Sequence, residues 1–158
     1  MDHTRNRIST GNAGLDYVLR GGLPRNRLYL VEGTPGSGKT TLALEFLQDG
    51  QSKNERVLYI TLSETKEELQ VVADSHGWNL SRIDIFELSA ADEVLGPGRD
   101  QSILHSWEIE LGETIKLIKA QVEKIKPTRV VFDSLSEMRL LAQDPLRYRR
   151  QLLVLKQF

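Results

Sequence analysis

The segment Gly33-Thr34-Pro35-Gly36-Ser37-Gly38-Lys39-Thr40 has the residue types and the spacing to grip a phosphate group. Its glycines let the backbone turn tightly and bring successive N–H groups around an anion. A helix opening near Lys39 aims the positive end of its dipole at the same place. Lys39 adds a full positive charge for β- and γ-phosphates, and the Thr40 hydroxyl is a hard oxygen suited to Mg²⁺. The pattern is Gly-x-x-x-x-Gly-Lys-Thr, the phosphate loop known as Walker A. Gly33 to Thr41, with Lys39, is therefore the expected ATP-binding segment. Gly36-x-Gly38 also begins a dinucleotide fingerprint, but its third small residue would fall at Thr41, so that reading is set aside.

A second element belongs to the same chemistry. Val130-Val131-Phe132 is an apolar run that ends on a carboxylate, Asp133. In open α/β sheets the carboxyl ends of the strands face the ligand crevice. Asp133, with Thr40, is the expected Mg²⁺ holder, acting through water. Hydrolysis also needs a group that orients or deprotonates water. Glu64 closes the run Val57 to Leu62 and should face the same crevice, where its rival role is helix-terminus electrostatics. Ser134 could reach a γ-phosphate or simply cap the local backbone.

These groups need a scaffold. Leu28 to Val31 reads as a short buried strand feeding the loop, and Lys39 to Asp49 as a helix with Gly50 as its stop. A second strand spans Val57 to Leu62. Thr65-Lys66-Glu67-Glu68 matches a capping box, so a helix follows and ends near Gly77. Ile83 to Leu88 alternates like a third strand, and residues 89–107 read as an irregular stretch, either functional or mobile. Leu111, Ile115, Ile118, Val122 and Ile125 make one apolar stripe on a helix from about Glu108 to Lys126, ended by Pro127. The Asp133 strand comes next, and then a helix from Leu146 to Phe158. Alternating strands and helices predict an α/β fold with a mostly parallel central sheet flanked by helices. Residues 1–10 read as a polar lead-in, and 11–158 as one domain.

Composition narrows the function classes. The chain has 158 residues, 39% hydrophobic and 27% charged, with a net charge of −1. That charge gives no long-range pull toward nucleic acid or an anionic membrane. No cysteine is present, which excludes disulfides and Cys-based zinc sites. No apolar run approaches the roughly 20 residues of a membrane helix, and a cytoplasmic location is expected. His3, His76 and His105 lack metal-ligand spacing. Trp78 and Trp107 form no stacking platform with basic neighbours. Arg147, Arg149 and Arg150 read as a solvated helix face, a subunit contact or a phosphate contact from a neighbour.

Several motifs now fall in one order. Thr10-Gly11-x-x-Gly14-Leu15-Asp16, Gly21-Gly22-Leu23-Pro24 and Gly33 to Thr41 resemble the opening of KaiC-type ATPases of the RecA superfamily. Ile60-Thr61-Leu62-Ser63-Glu64-Thr65, Ser75-His76-Gly77-Trp78, Val131-Phe132-Asp133-Ser134-Leu135 and Leu146-Arg147-Tyr148-Arg149-Arg150-Gln151 continue the likeness, which covers the chain from about residue 8. The resemblance implies an ATPase that assembles into hexameric rings with ATP between neighbouring subunits. It also implies that some relatives carry a second such domain and that the clock protein phosphorylates itself. The family's catalytic Glu pair corresponds to Ser63 and Glu64, so only the second carboxylate is kept. The family's core has further strands after the Asp133 strand, and its arginine or lysine finger lies there too. The expectation is thus the N-terminal part of such a domain.

The combined reading is a P-loop NTPase fold of RecA/KaiC type that binds Mg-ATP and hydrolyses it slowly, while its near-neutral charge and lack of an aromatic platform argue against action on DNA. Lys39 and Glu64 are the catalytic candidates, Gly33 to Thr41 bind nucleotide, and Thr40 and Asp133 take the metal. The expected partners are ATP, further copies of the chain and protein signalling partners. Alternatives are a nucleotide-dependent assembly module with little turnover, a RecA-like recombinase, and an autokinase.

Overall fold

The computed structural model describes residues 6–88, 106–142 and 144–157. Its centre is a parallel sheet of three strands, β3 (Val57–Thr61), β4 (Asp84–Glu87) and β5 (Arg129–Asp133), in the order β4-β3-β5. Two short strands, β1 (Arg7–Ile8) and β2 (Leu23–Pro24), pair antiparallel beside it. The helices are α1 (Ala13–Val18), α2 (Lys39–Ser52), α3 (Lys66–Ser75), α4 (Ser106–Ile125), α5 (Leu135–Ala142) and α6 (Pro145–Gln157).

Strand alternation sorts the core into two faces. Val57 and Tyr59 pack with Leu44 and Leu47 of α2 and with Leu69 and Ala73 of α3. Leu58 and Ile60 point the other way, onto Ile118 of α4, with Leu155 of α6 packed alongside. The expected stripe on α4 is seen in Ile115 and Ile118, which are buried, and in Val122 and Ile125, which pack against the core. The side chain of Leu111 lies outside the described residues. The α/β architecture with a parallel sheet between helices is the predicted one.

Local signals fix the elements. The Thr65 hydroxyl accepts from Glu68 N, and the Glu68 carboxylate accepts from Thr65 N at 2.8 Å, so the capping box opens α3 as expected. The Asp16 carboxylate accepts from Ser9 Oγ, Thr10 N and Thr10 Oγ1, at 2.7, 2.8 and 2.7 Å. Burial alone would raise its pKa, but these hydrogen bonds outweigh it and hold the carboxyl below its usual value. Asp16 thereby ties the first folded residues to α1.

Three expectations are corrected. Leu28 to Val31 forms no ladder and stays between 41 and 67% exposed. A short apolar run becomes a strand only against an open edge. Both edges of β3 are taken by β4 and β5, and the run does not pair with β5. Gly50 does not stop α2, which continues to Ser52. It lies inside the helix because the side chain of Arg129 packs against it. A Cβ at position 50 would come within 2.7 Å of Arg129 Nε and 2.8 Å of Val57 Cγ1. The third correction is α5, a helix directly after the Asp133 strand that periodicity did not single out. The irregular stretch expected at 89–107 lies outside the described residues up to 105, and 106 and 107 already belong to α4.

Gly50 yields a first prediction. Gly→Ala inside a helix ordinarily stabilises by about 1 kcal/mol. Here the added methyl meets the rigid middle of a buried Arg, and overpacking costs about 1–3 kcal/mol. Gly50→Ala is expected to lower the denaturant midpoint. A rise would show that Arg129 can move aside.

Candidate functional site

The phosphate loop joins Leu28–Val31 to α2. Gly36 and Gly38 have φ of 77° and 88°, in the left-handed region that favours glycine. A Cβ at either would meet nothing within 4 Å, so the backbone angle and not crowding favours glycine there. Gly38 is the N-cap of α2 and supplies no side-chain cap. The amides of the first helical turn are therefore available to an anion. Lys39 Nζ donates to Gly33 O at 2.9 Å and to Thr34 O at 3.0 Å. The ammonium is folded over its own loop, at the mouth of the cradle. Thr41 lies in the first turn of α2 and is partly buried.

Thr40 is the meeting point. Its hydroxyl donates to Asp133 Oδ2 at 3.1 Å and lies 3.4 Å from Glu64 Oε1. Residues from α2, from the end of β5 and from the turn after β3 thus converge. The sheet register explains this. Thr61 stands opposite Asp133, so both strands finish at the same level. Leu62 N then donates to Asp133 O at 2.9 Å and locks the ends together. The Thr61 hydroxyl shapes the turn by donating to Glu64 O and accepting from Glu64 N, at 2.7 and 2.9 Å. Of the sequence-predicted site residues, Thr40, Glu64 and Asp133 come together around one point. Lys39 sits on the loop beside them. Ser63 is exposed on the turn.

The electrostatics separate the two carboxyls. Burial, followed by the charge of Asp133, pushes the Glu64 carboxyl above its usual value. Glu64 Oε2 is buried and has no hydrogen-bond partner among the described residues. A hydroxyl has one proton to give. Thr40 is within donor range of both carboxylates and can serve only one at a time, Asp133 being the nearer. An orphaned carboxylate oxygen, a second carboxylate and a hydroxyl are hard oxygen donors. They fit Mg²⁺, which takes one or two carboxylates beside substrate phosphates and water. Among the described residues no group of three or more His, Cys, Asp or Glu converges on a metal. The donor set therefore suits a shared metal, not a closed protein cage.

One residue at the site, Tyr59, and one at the other end of β5, Arg129, went unrecognised in the sequence. Tyr59 is fully buried in β3, and its hydroxyl donates to Asp133 Oδ2 at 2.7 Å. Burial, then Asp133, push its phenol far above its ordinary pKa. The available signal was a polar-tipped aromatic in an otherwise aliphatic buried strand. Arg129, 2% exposed, opens β5. It pairs with Glu55 at 2.6 Å and Asp49 at 2.9 Å, and donates to Ser9 O and Phe46 O at 2.8 Å each. Its signal was a charged residue at the head of an apolar run. The expected basic cluster Arg147, Arg149 and Arg150 is exposed on α6. His76 stacks on Trp78 with centroids 4.5 Å apart, while His3 and His105 lie outside the described residues. Among the described residues, no helix is long and apolar enough to cross a membrane.

Comparison with known proteins adds relatives to this geometry. The family described as "ATPase: KaiC" matches residues 8–158. The chain is 36% identical over 132 residues to the circadian clock oscillator protein KaiC of Thermostichus vulcanus, covering 82% of this chain and 25% of that protein. It is 32% identical over 151 residues to the circadian clock protein KaiC3 of Synechocystis, covering 92% and 29%. A UPF0273 protein of Aeropyrum pernix is 26% identical over 156 residues, covering 95% and 62%. The chain thus spans between about a quarter and three fifths of the length of these relatives.

Proposed function

The chain belongs to the KaiC ATPase family, of the RecA superfamily, and from that premise we propose that it binds Mg-ATP on Gly33 to Thr41 and hydrolyses it slowly. The observation that carries this reading is the convergence of Glu64 and Asp133 within 3.4 Å of the Thr40 hydroxyl, in the first turn of the helix that follows the glycine loop. In the proposed complex the amides at the start of α2 hold the phosphate oxygens, and Lys39 turns from its own carbonyls onto the β- and γ-phosphates. Thr40 and Asp133 hold Mg²⁺, with Glu64 near enough to share it. Bound there, the metal supplies charge neutralisation at the phosphate oxygens. Glu64 orients the attacking water and accepts its proton, which a carboxyl with a raised pKa does well near neutral pH. Catalysis is then positioning plus electrostatics, as in phosphoryl transfer generally.

The likeness to clock proteins supports a cytoplasmic ring, a hexamer, with ATP between copies. Solution mass with and without Mg-ATP tests this: nucleotide-dependent hexamers support it, and a permanent monomer overturns it. A second reading is a nucleotide-dependent assembly module with little turnover. It is favoured by Ser63, which stands where the resembled family has the first of two glutamates.

One experiment separates the two readings. Phosphate release and ATP affinity are measured for the chain and for Lys39→Ala. The variant loses charge-assisted hydrogen bonds worth about 1.5–3 kcal/mol, so ATP should bind at least about tenfold more weakly. Release clearly above the variant's supports the ATPase reading. Release equal to the variant's, with ATP still bound by the parent, leaves the assembly module. No ATP binding by the parent sinks both.

A further inference from the structure

A fully buried tyrosine must place its hydroxyl on a partner, because an unpaired one loses its hydration without return. Tyr59 is 0% exposed in the middle strand of the sheet, among aliphatic and aromatic neighbours. A phenylalanine would fill the same volume with no polar atom. The hydroxyl goes to a carboxylate, Asp133 Oδ2, at 2.7 Å. Hydrogen bonds to an ionised acceptor are short and strong. The sheet makes the reach possible. Tyr59 stands opposite Val131, so Asp133 is its diagonal neighbour on the same face, within range of an aromatic side chain.

Asp133 Oδ2 has two hydroxyl donors, Tyr59 and Thr40. The Thr40 hydroxyl is the group proposed to turn to the metal. The Tyr59 hydroxyl is enclosed in the core and donates to Asp133 Oδ2. We propose that Tyr59 is a positioning residue for the metal end of the site, holding the Asp133 carboxylate in place after Thr40 has changed partner. This rests on the Mg-ATP reading above. Groups that orient metal-facing ligands in this way carry about 10–100-fold in metal affinity.

Mn²⁺, read by paramagnetic resonance, is the probe, with ATP as the nucleotide. Tyr59→Phe keeps the ring and removes only the hydroxyl. The variant is expected to bind ATP in EDTA within roughly twofold of the parent. Mn²⁺ should bind its ATP complex about tenfold more weakly. In an Asp133→Asn background the same change should add nothing, because the oxygen it acts through is altered. A second readout needs no change at Tyr59. In protein labelled with ¹³C at tyrosine Cζ, Mg²⁺ added with ATP should move the Tyr59 resonance but not that of Tyr17, which is 86% exposed. Mn²⁺ affinity within roughly twofold of the parent, or an equal loss in the Asp133→Asn background, overturns the assignment while the ATP reading stands. Failure of the parent to bind ATP at all removes that reading and this one together.

Discussion

Arg129→Met is expected to lose about 3–5 kcal/mol of folding stability, because it removes one member of a buried ion cluster. Whole domains have only about 5–15 kcal/mol, so the variant should unfold at a much lower denaturant concentration. The guanidinium reaches four groups from separate parts of the chain: Asp49, Glu55, Ser9 O and Phe46 O. It also lies over the Phe46 ring, 4.7 Å from the centroid. Met fills similar length but leaves the Glu55 carboxylate without its guanidinium and Asp49 with Lys53 alone, at 2.6 Å. Arg129→Lys should recover only part of the loss, since an ammonium cannot reproduce the planar fork. The pH dependence has a definite sign. The hydrogen bond and charge of Arg129 hold the Glu55 carboxyl below its usual value. Its contribution is complete above the unfolded value of about 4.3 and fades as pH falls through the folded value. Parent and Arg129→Met should therefore converge in acid. A gap that stays constant down to pH values below about 3 would assign the loss to packing instead.

Glu64→Gln is expected to lower phosphate release by about 10²–10⁴-fold, the usual weight of a general base, while ATP affinity changes little. The same substitution should stabilise the ligand-free protein at neutral pH. Burial and the charge of Asp133 raise the Glu64 pKa in the folded state. A raised folded value means stability that is complete below the unfolded value and is lost as pH rises through the folded one. Gln copies the neutral form, so its advantage appears above about pH 4.3 and vanishes below it. The checks are phosphate release at saturating ATP and melting temperature across pH. Unchanged release would remove Glu64 from the water-activating role. A lower melting temperature at neutral pH would show that the ionised carboxylate is supported by the fold after all.

The residues proposed for chemistry were legible because phosphate and Mg²⁺ dictate both type and spacing. Gly36, Gly38, Lys39 and Thr40 announce themselves in one short segment. Asp133 and Glu64 followed from strand ends, which the parallel register then aligned. Tyr59 and Arg129 stood out only by residue type, and what they pair with was not legible, because their partners lie far along the chain. Arg129 reaches back to Ser9, a separation of 120 residues, and no local pattern records that. Gly50 misled for the same reason: its glycine answers a distant arginine and not a helix end. Leu28 to Val31 had the composition of a strand, but pairing is a property of two segments. The helix α5 was within reach, since Leu135, Met138 and Ala142 have helical spacing and the latter two are buried.

Lys39 rests on Gly33 O and Thr34 O in the ligand-free loop. An arriving phosphate thus meets an ammonium that already has acceptors. Binding is an exchange of partners, and the net gain is the difference between two sets of bonds, not the full strength of one. Apparent affinity is then the intrinsic affinity scaled by the fraction of loops whose lysine is released. Where release is slower than capture, the observed association rate levels off as ATP concentration rises. The loop's own carbonyls act as a built-in competitor. Main-chain oxygens play that part, so no side-chain substitution deletes it.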